Sequence, residues 1–192
     1  DKVSYPVMLL PNDVPYGDII MNVMDAIIQN KDDTIKAMRI DSMLQPGKTA
    51  GEIKQIAHYL NSQFKENIIA LFYKDSAQDT RAKIKTLKSG LGDHFTWTVL
   101  KYQDGILLIL SLDAESRSGI FLRLDDLKRR LLVLDPACQV GVSSLHPGLE
   151  YMGLAVKEAL LAVDVGQKLS GKRVTYYKDL GLYKLLMLLR NE

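Results

Sequence analysis

The stretch "KYQDGILLILS", Lys101 to Ser111, decides how the rest of the chain is read. Two β-prone runs flank Asp104-Gly105, and Asp-Gly is a favoured loop for the mirror-image turns that match the twist of paired strands. The pattern predicts a β-hairpin with "FTWTVLKYQ" and "ILLILSLD" as its arms and Asp104-Gly105 at its tip. Glycine tolerates the positive φ of such a turn, and Asp suits its first position. Whether the tip carries chemistry or only reverses the chain is the functional question.

The flanking sequence supplies partners for the hairpin. Upstream, "NIIALFYKD" is an uninterrupted apolar run beginning at Asn67, the mark of a central strand covered on both faces. "DTRAKIKTLKSGL" predicts a polar helix with Ile84, Leu87 and Leu91 turned inward. Downstream, "GIFLRLDDLKRRLLVLD" predicts a helix with Leu124, Leu127, Leu131 and Leu134 on one stripe. "CQVGVSS" reads as a short strand, "LEYMGLAVKEALLAVDVGQKLSG" as a helix closed by Gly171, and "KRVTYY" as the last strand. The order βαββαβαβ, with an apolar stripe on each helix, predicts an α+β fold: a mainly antiparallel sheet with packed helices.

The first third reads as helical and connecting. Tyr5 to Leu10 is strand-like and is followed by the breakers Pro11 and Pro15. A helix is expected from about Tyr16, with Ile20, Val23, Met24 and Ile27 on one face, and a second over "NKDDTIKAMRIDSMLQPG" up to Pro46-Gly47. Thr49 and Glu52 form a capping box that opens "TAGEIKQIAHYL", whose buried face is Ile53, Ile56, Ala57 and Leu60.

Bulk properties narrow the class. With 192 residues, 47% hydrophobic and 25% charged, the chain has material for a core and is not disordered by composition. A formal charge of +2 gives no sign of a nucleic-acid surface. Cys138 is the only cysteine, which excludes an internal disulfide and fits a reducing, cytoplasmic compartment. No apolar run is long enough to cross a bilayer, so no membrane partner is expected. Because the chain opens at Asp1 and stops inside the helical pattern "LYKLLMLLRNE", it is expected to be an excised piece of a longer protein.

Two stretches carry a family resemblance. "VGVSSLHPGLEYMGLAVKEALLAVDVGQKLSGKRVTYYKDLGLYKLL", Val140 to Leu186, resembles the degenerate GGDEF-type domain of PucR-type (purine catabolism) and CdaR-type (sugar diacid) bacterial regulators. "YPVMLLPNDVPYGDIIMNVMDAI" resembles the tail of the PucR-type sensory domain. The resemblance implies four parts: a sensory tail over 1–30, a helical connector over 31–65, a degenerate GGDEF-like domain over 66–179, and from 180 the start of a helix leading to an absent helix-turn-helix.

The same resemblance sets a standard for the hairpin tip. Active diguanylate cyclases need two glycines at the turn and an acidic pair, because magnesium and phosphoryl oxygens require hard carboxylate ligands close together. Laid on that pattern, the glycines become Gln103 and Asp104, and the acidic pair becomes Gly105 and Ile106. Asp75 is the candidate for the remaining ligand. Only Asp104 is acidic at the tip, so the turn is read as structural, and no catalytic residue, cofactor or metal is assigned.

Other candidates have plainer readings. Ser143, Ser144 and His146 sit together, but hydroxyls at a strand end ordinarily satisfy backbone groups. His58, His94 and His146 lack metal-ligand spacing, and Cys138 reads as a small buried hydrophobe. On the helix from Leu149, the stripe Met152, Val156, Ala159, Leu160 and Val163 is expected to cover the sheet. Leu154, Leu161 and Val165 fall on the other side and are expected to form an interface, either with the N-terminal helices of the same chain or with a second copy or the missing sensor or DNA-binding module.

The expected function is therefore a non-catalytic relay and dimerisation segment of a PucR-like transcription regulator. It would act as a homodimer, reach DNA only through the missing C-terminal domain, and answer to a small-molecule effector of unknown identity. The alternatives are a module binding a nucleotide or purine-pathway metabolite and, further off, a nucleotide cyclase-type enzyme.

Overall fold

Strand β1 (Asn67–Lys74) is buried from end to end except at Lys74, as its unbroken apolar sequence demands. The computed structural model describes residues 16–74, 80–91, 96–112, 117–135, 137–169 and 172–181. The hairpin strands β2 (Thr96–Tyr102) and β3 (Gly105–Leu112) lie on one side of β1, and β4 (Gln139–Val142) on the other. A three-residue strand, β5 (Val174–Tyr176), completes the order β2-β3-β1-β4-β5. All pairings are antiparallel except β4 with β5, which runs parallel from Val140 opposite Val174.

The chain divides into two compact units, Asp1–Asp32 and Asp33–Glu192. Helix α1 (Tyr16–Leu44) is continuous where the sequence suggested two helices. No glycine or proline interrupts residues 30–44, and the chain breaks only at Pro46 and at Gly47, which takes φ +80°. The expected strand at Tyr5–Leu10 and the expected helix from Leu180 lie outside the described residues, apart from a 3-10 turn at Tyr177–Leu180.

In the second unit, the period-2 alternation of the strands feeds two cores. Ile68, Ala70 and Phe72 of β1 join Leu100, Leu107 and Ile109 in one layer. Onto it pack Ile40 and Met43 from the end of α1, Ile56, Ala57 and Leu60 of α2 (Ala50–Leu60), and Met152, Val156, Ala159 and Val163 of α5 (Met152–Leu169). Ile69, Leu71 and Tyr73 face the other way, with Ile106, Leu108 and Leu110. Ile84, Leu87 and Leu91 of α3 (Thr80–Leu91) cover that side, together with Leu124 and Leu127 of α4 (Arg117–Leu134). The fold is thus α+β with helices on both faces of a mostly antiparallel sheet.

Local signals hold where they were strong. Thr49 Oγ1 accepts the Glu52 N–H while Glu52 accepts the Thr49 N–H at 2.9 Å, completing the capping box of α2. That backbone hydrogen bond, aided by Lys48, holds the Glu52 carboxyl down to about 2. At the other end of α2, Asn61 Nδ2 donates to the Trp97 carbonyl of β2 at 3.0 Å, and Thr98 Oγ1 donates to the Leu60 carbonyl at 3.1 Å. The helix expected from Leu149 begins instead with a 3-10 turn at Leu149–Tyr151 before α5 proper.

Gly141 in β4 sets how closely α5 approaches the sheet. A methyl group there would lie 2.0 Å from the Ala159 carbonyl oxygen and 2.8 Å from Val163 Cγ2. Because backbone cannot yield as a side-chain tip can, Gly141→Ala is expected to cost about 1–3 kcal/mol, as overpacking of a filled core does. Urea unfolding of the two proteins measures the difference.

Candidate functional site

At the hairpin tip, Tyr102 pairs with Gly105, leaving Gln103 and Asp104 as the two-residue loop. The turn therefore sits one residue earlier than the Asp104-Gly105 reading placed it. Gln103 takes φ 50°, the one positive φ outside glycine among the described residues, and a positive φ at the first loop position alone is the pattern of a II′ turn. Gly105 is needed for a different reason. A Cβ on it would meet the Tyr73 carbonyl oxygen at 2.2 Å and the Phe72 ring at 2.8 Å, so the glycine allows β3 to lie against β1.

The four positions of the signature separate accordingly. Gln103 and Asp104 are exposed, Gly105 is buried in the sheet, and Ile106 is 1% exposed inside the layer under α3 and α4. The Asp104 carboxylate lies 3.3 Å from Lys74 Nζ. Asp75 lies outside the described residues. Among the described residues, no three His, Cys, Asp or Glu side chains converge as a metal site. Close to the tip, the Tyr102 hydroxyl donates to Asp41 Oδ1 at 2.7 Å, and burial together with this carboxylate pushes the phenol above its ordinary pKa.

The Ser143–His146 segment forms a polar knot at the exit of β4. Ser143 Oγ accepts the Ala70 N–H at 2.9 Å and donates to the Ser144 carbonyl at 2.8 Å, as the plainer reading of the serines anticipated. His146 exchanges both backbone hydrogen bonds with Ile68, at 2.8 and 2.9 Å. Its ring stacks on Tyr151 with centroids 5.8 Å apart. Glu158 of α5, which the sequence reading missed, completes the knot: its Oε2 accepts the Ser144 N–H at 2.7 Å and lies 3.1 Å from His146 Nε2.

This arrangement does not assemble a nucleophile. In a serine triad the histidine stands between the hydroxyl and the acid. Here Ser144 and His146 converge on the same carboxylate oxygen, and Ser143 spends its hydroxyl on backbone. Burial pushes the Glu158 carboxyl up, but the hydrogen bonds from His146 and Ser144 outweigh it and hold the group below its ordinary value. By helical spacing Glu158 falls beside Ala162 and Val165, off the stripe expected to cover the sheet, so the sequence pattern did not mark it.

A second buried polar group lies across the sheet. Lys83 Nζ is 3.1 Å from Asp135 Oδ2, with both side chains largely covered, and sits 5.6 Å over the Tyr73 ring. Cys138 beside them is fully buried, and burial, then Asp135, push its thiol up to about 11. It packs as a small hydrophobe. His58 is exposed on α2, and His94 lies outside the described residues.

The three α5 residues singled out as an interface do not share one exposed surface. Leu154 is 45% exposed, Leu161 is half-buried, and Val165 is 2% exposed. The helix also contacts β5 and the 3-10 turn after it, so its buried arc is wider than one sheet face requires. Between α3 and α4, a groove of about 310 Å³ is lined by Leu87, Leu127, Val133, Arg129 and Arg130. No helix among the described residues is long and apolar enough to cross a membrane. No family model matches the chain, and a search of curated proteins finds no significant match.

Because folding lowers the Glu158 pKa, its stabilisation is complete above the ordinary value of 4.5 and fades as the pH falls through the lower folded value. Glu158→Gln is expected to lose about 1.5–3 kcal/mol at neutral pH, the range for hydrogen bonds to a charged group. Its stability should also fall less steeply in acid than that of the parent. Urea midpoints measured from neutral to acidic pH report both effects.

Proposed function

We propose that this chain is a non-catalytic relay and dimerisation segment of a transcription regulator of the PucR/CdaR type, its sheet domain a degenerate relative of the GGDEF-type domain. An upstream sensor, occupied by a small-molecule effector, would bias the geometry of a domain pair in the cytoplasm. The pair would in turn set the spacing of two helix-turn-helix heads on DNA, since two half-sites mirror two-fold protein symmetry.

The observation that carries the reading is the side-chain content of the hairpin tip. A metal-bound triphosphate needs at least two hard oxygen ligands side by side. At the corresponding positions Ile106 is packed in the core, Gly105 has no room for a Cβ, and Asp104 is engaged by Lys74. Restoring an acid at position 105 would drive its Cβ into the Tyr73 carbonyl, so the loss is built into the sheet as well as the sequence.

Two outcomes are expected. GTP with magnesium should not be turned over even at enzyme concentrations matching the nucleotide; pyrophosphate release that Asp104→Asn abolishes would refute the non-catalytic reading. Fused to a monomeric helix-turn-helix head, the chain should bring operator binding in gel-shift titrations to the level of a paired head. A fusion that binds no better than the isolated head would count against the dimerisation role.

A further inference from the structure

Helices α3 and α4 are charged unlike the rest of the chain. Together they hold nine basic residues against two acids, Asp125 and Asp126, a balance of +7 in a chain whose total is +2. The groove between them, of about 310 Å³, falls at the lower end of the roughly 300–1,000 Å³ range of small-molecule sites. Its lining is apolar at Leu87, Leu127 and Val133, basic at Arg129 and Arg130, and contains no acid. Val133 is 80% exposed, the highest value for a large apolar side chain among the described residues.

Arg130 is already oriented for an anion. Its Nε donates to Asp126 at 2.8 Å, one turn back along α4, which steadies the side chain and leaves the Nη groups beyond that pair. Nη1 lies over Gly90 near the end of α3: a Cβ on the glycine would sit 3.2 Å from it, so the missing side chain gives the guanidinium its place. Asp125 is paired with Lys128, and Arg129 stands exposed at the same rim. Beside hydrocarbon walls a guanidinium holds a carboxylate more strongly than it does in open water.

We infer that this groove binds a small organic carboxylate with an apolar body. The acid would sit on Arg129 and Arg130, and the body would run along Leu87, Leu127 and Val133. The planar fork of arginine matches the two oxygens of a carboxylate, and the apolar floor sets such a ligand above a plain inorganic anion. The apolar run of the chain's own C-terminal sequence, 182–190, is the poorer occupant, because Lys184 and Arg190 would bring like charge to the rim. The inference depends neither on the regulator reading nor on pairing between copies.

The test titrates the whole 192-residue chain, labelled with nitrogen-15, with octanoate and follows the amide signals. Octanoate, with about ten heavy atoms, should shift signals of α3 and α4 with a Kd of about 1 mM or tighter. Acetate and 1-octanol, which each lack one half of the ligand, should bind at least about tenfold more weakly. Arg129→Gln/Arg130→Gln should weaken octanoate by about tenfold or more and leave 1-octanol unchanged. Both side chains are exposed, so the variant should keep the parent's urea midpoint. No shift in α3 or α4 below the micelle threshold, or shifts centred on another element, would overturn the inference. So would 1-octanol binding as tightly as octanoate, or a double variant that binds octanoate as the parent does.

Discussion

Strand β1 is held on both edges and covered on both faces, and this double confinement organises the second unit. Its alternate residues must fill two separate layers, so each layer needs its own helices: α2, α5 and the end of α1 on one side, α3 and α4 on the other. The neighbours of β1 must also come close. Gly105 in β3 lies against the Tyr73 carbonyl, and Gly141 in β4, opposite Phe72, admits the backbone of α5. The two glycines matter for the room they leave, since neither takes a positive φ.

Much of this was legible in the residues themselves. The apolar run at Asn67, the two hairpin arms, the capping box at Thr49 and the stripes on α3 and α5 are local patterns, and local patterns fixed the order of elements. What escaped was decided at long range. Asp104-Gly105 has the local chemistry of a turn, yet the tie between Gly105 and β1 draws the glycine into the strand and leaves Gln103 to take the positive φ. Glu158 looked like any helix acid, because its partners are 12 and 14 residues away on another element. Val165 seemed poised for a partner because nothing in its own helix reveals that β5 and the turn after it also contact α5.

Several polar side chains among the described residues of the second unit serve its architecture. Ser143 and His146 fasten the exit of β4 to the start of β1, Glu158 fixes that exit to α5, and Lys83 with Asp135 does similar duty beneath α3. Each carries hydrogen-bonding capacity that a catalytic group would need to keep for a substrate.

The outer edge of β2 is guarded. Asn61, at the end of α2, already occupies the Trp97 carbonyl, and Lys101 places an exposed charge farther along the strand. At the opposite border β5 is only three residues long. Neither margin offers the long, bare ladder of donors and acceptors on which a foreign strand could grow. A foreign strand would thus find one border partly engaged and the other too short for extended pairing, which disfavours growth by edge addition.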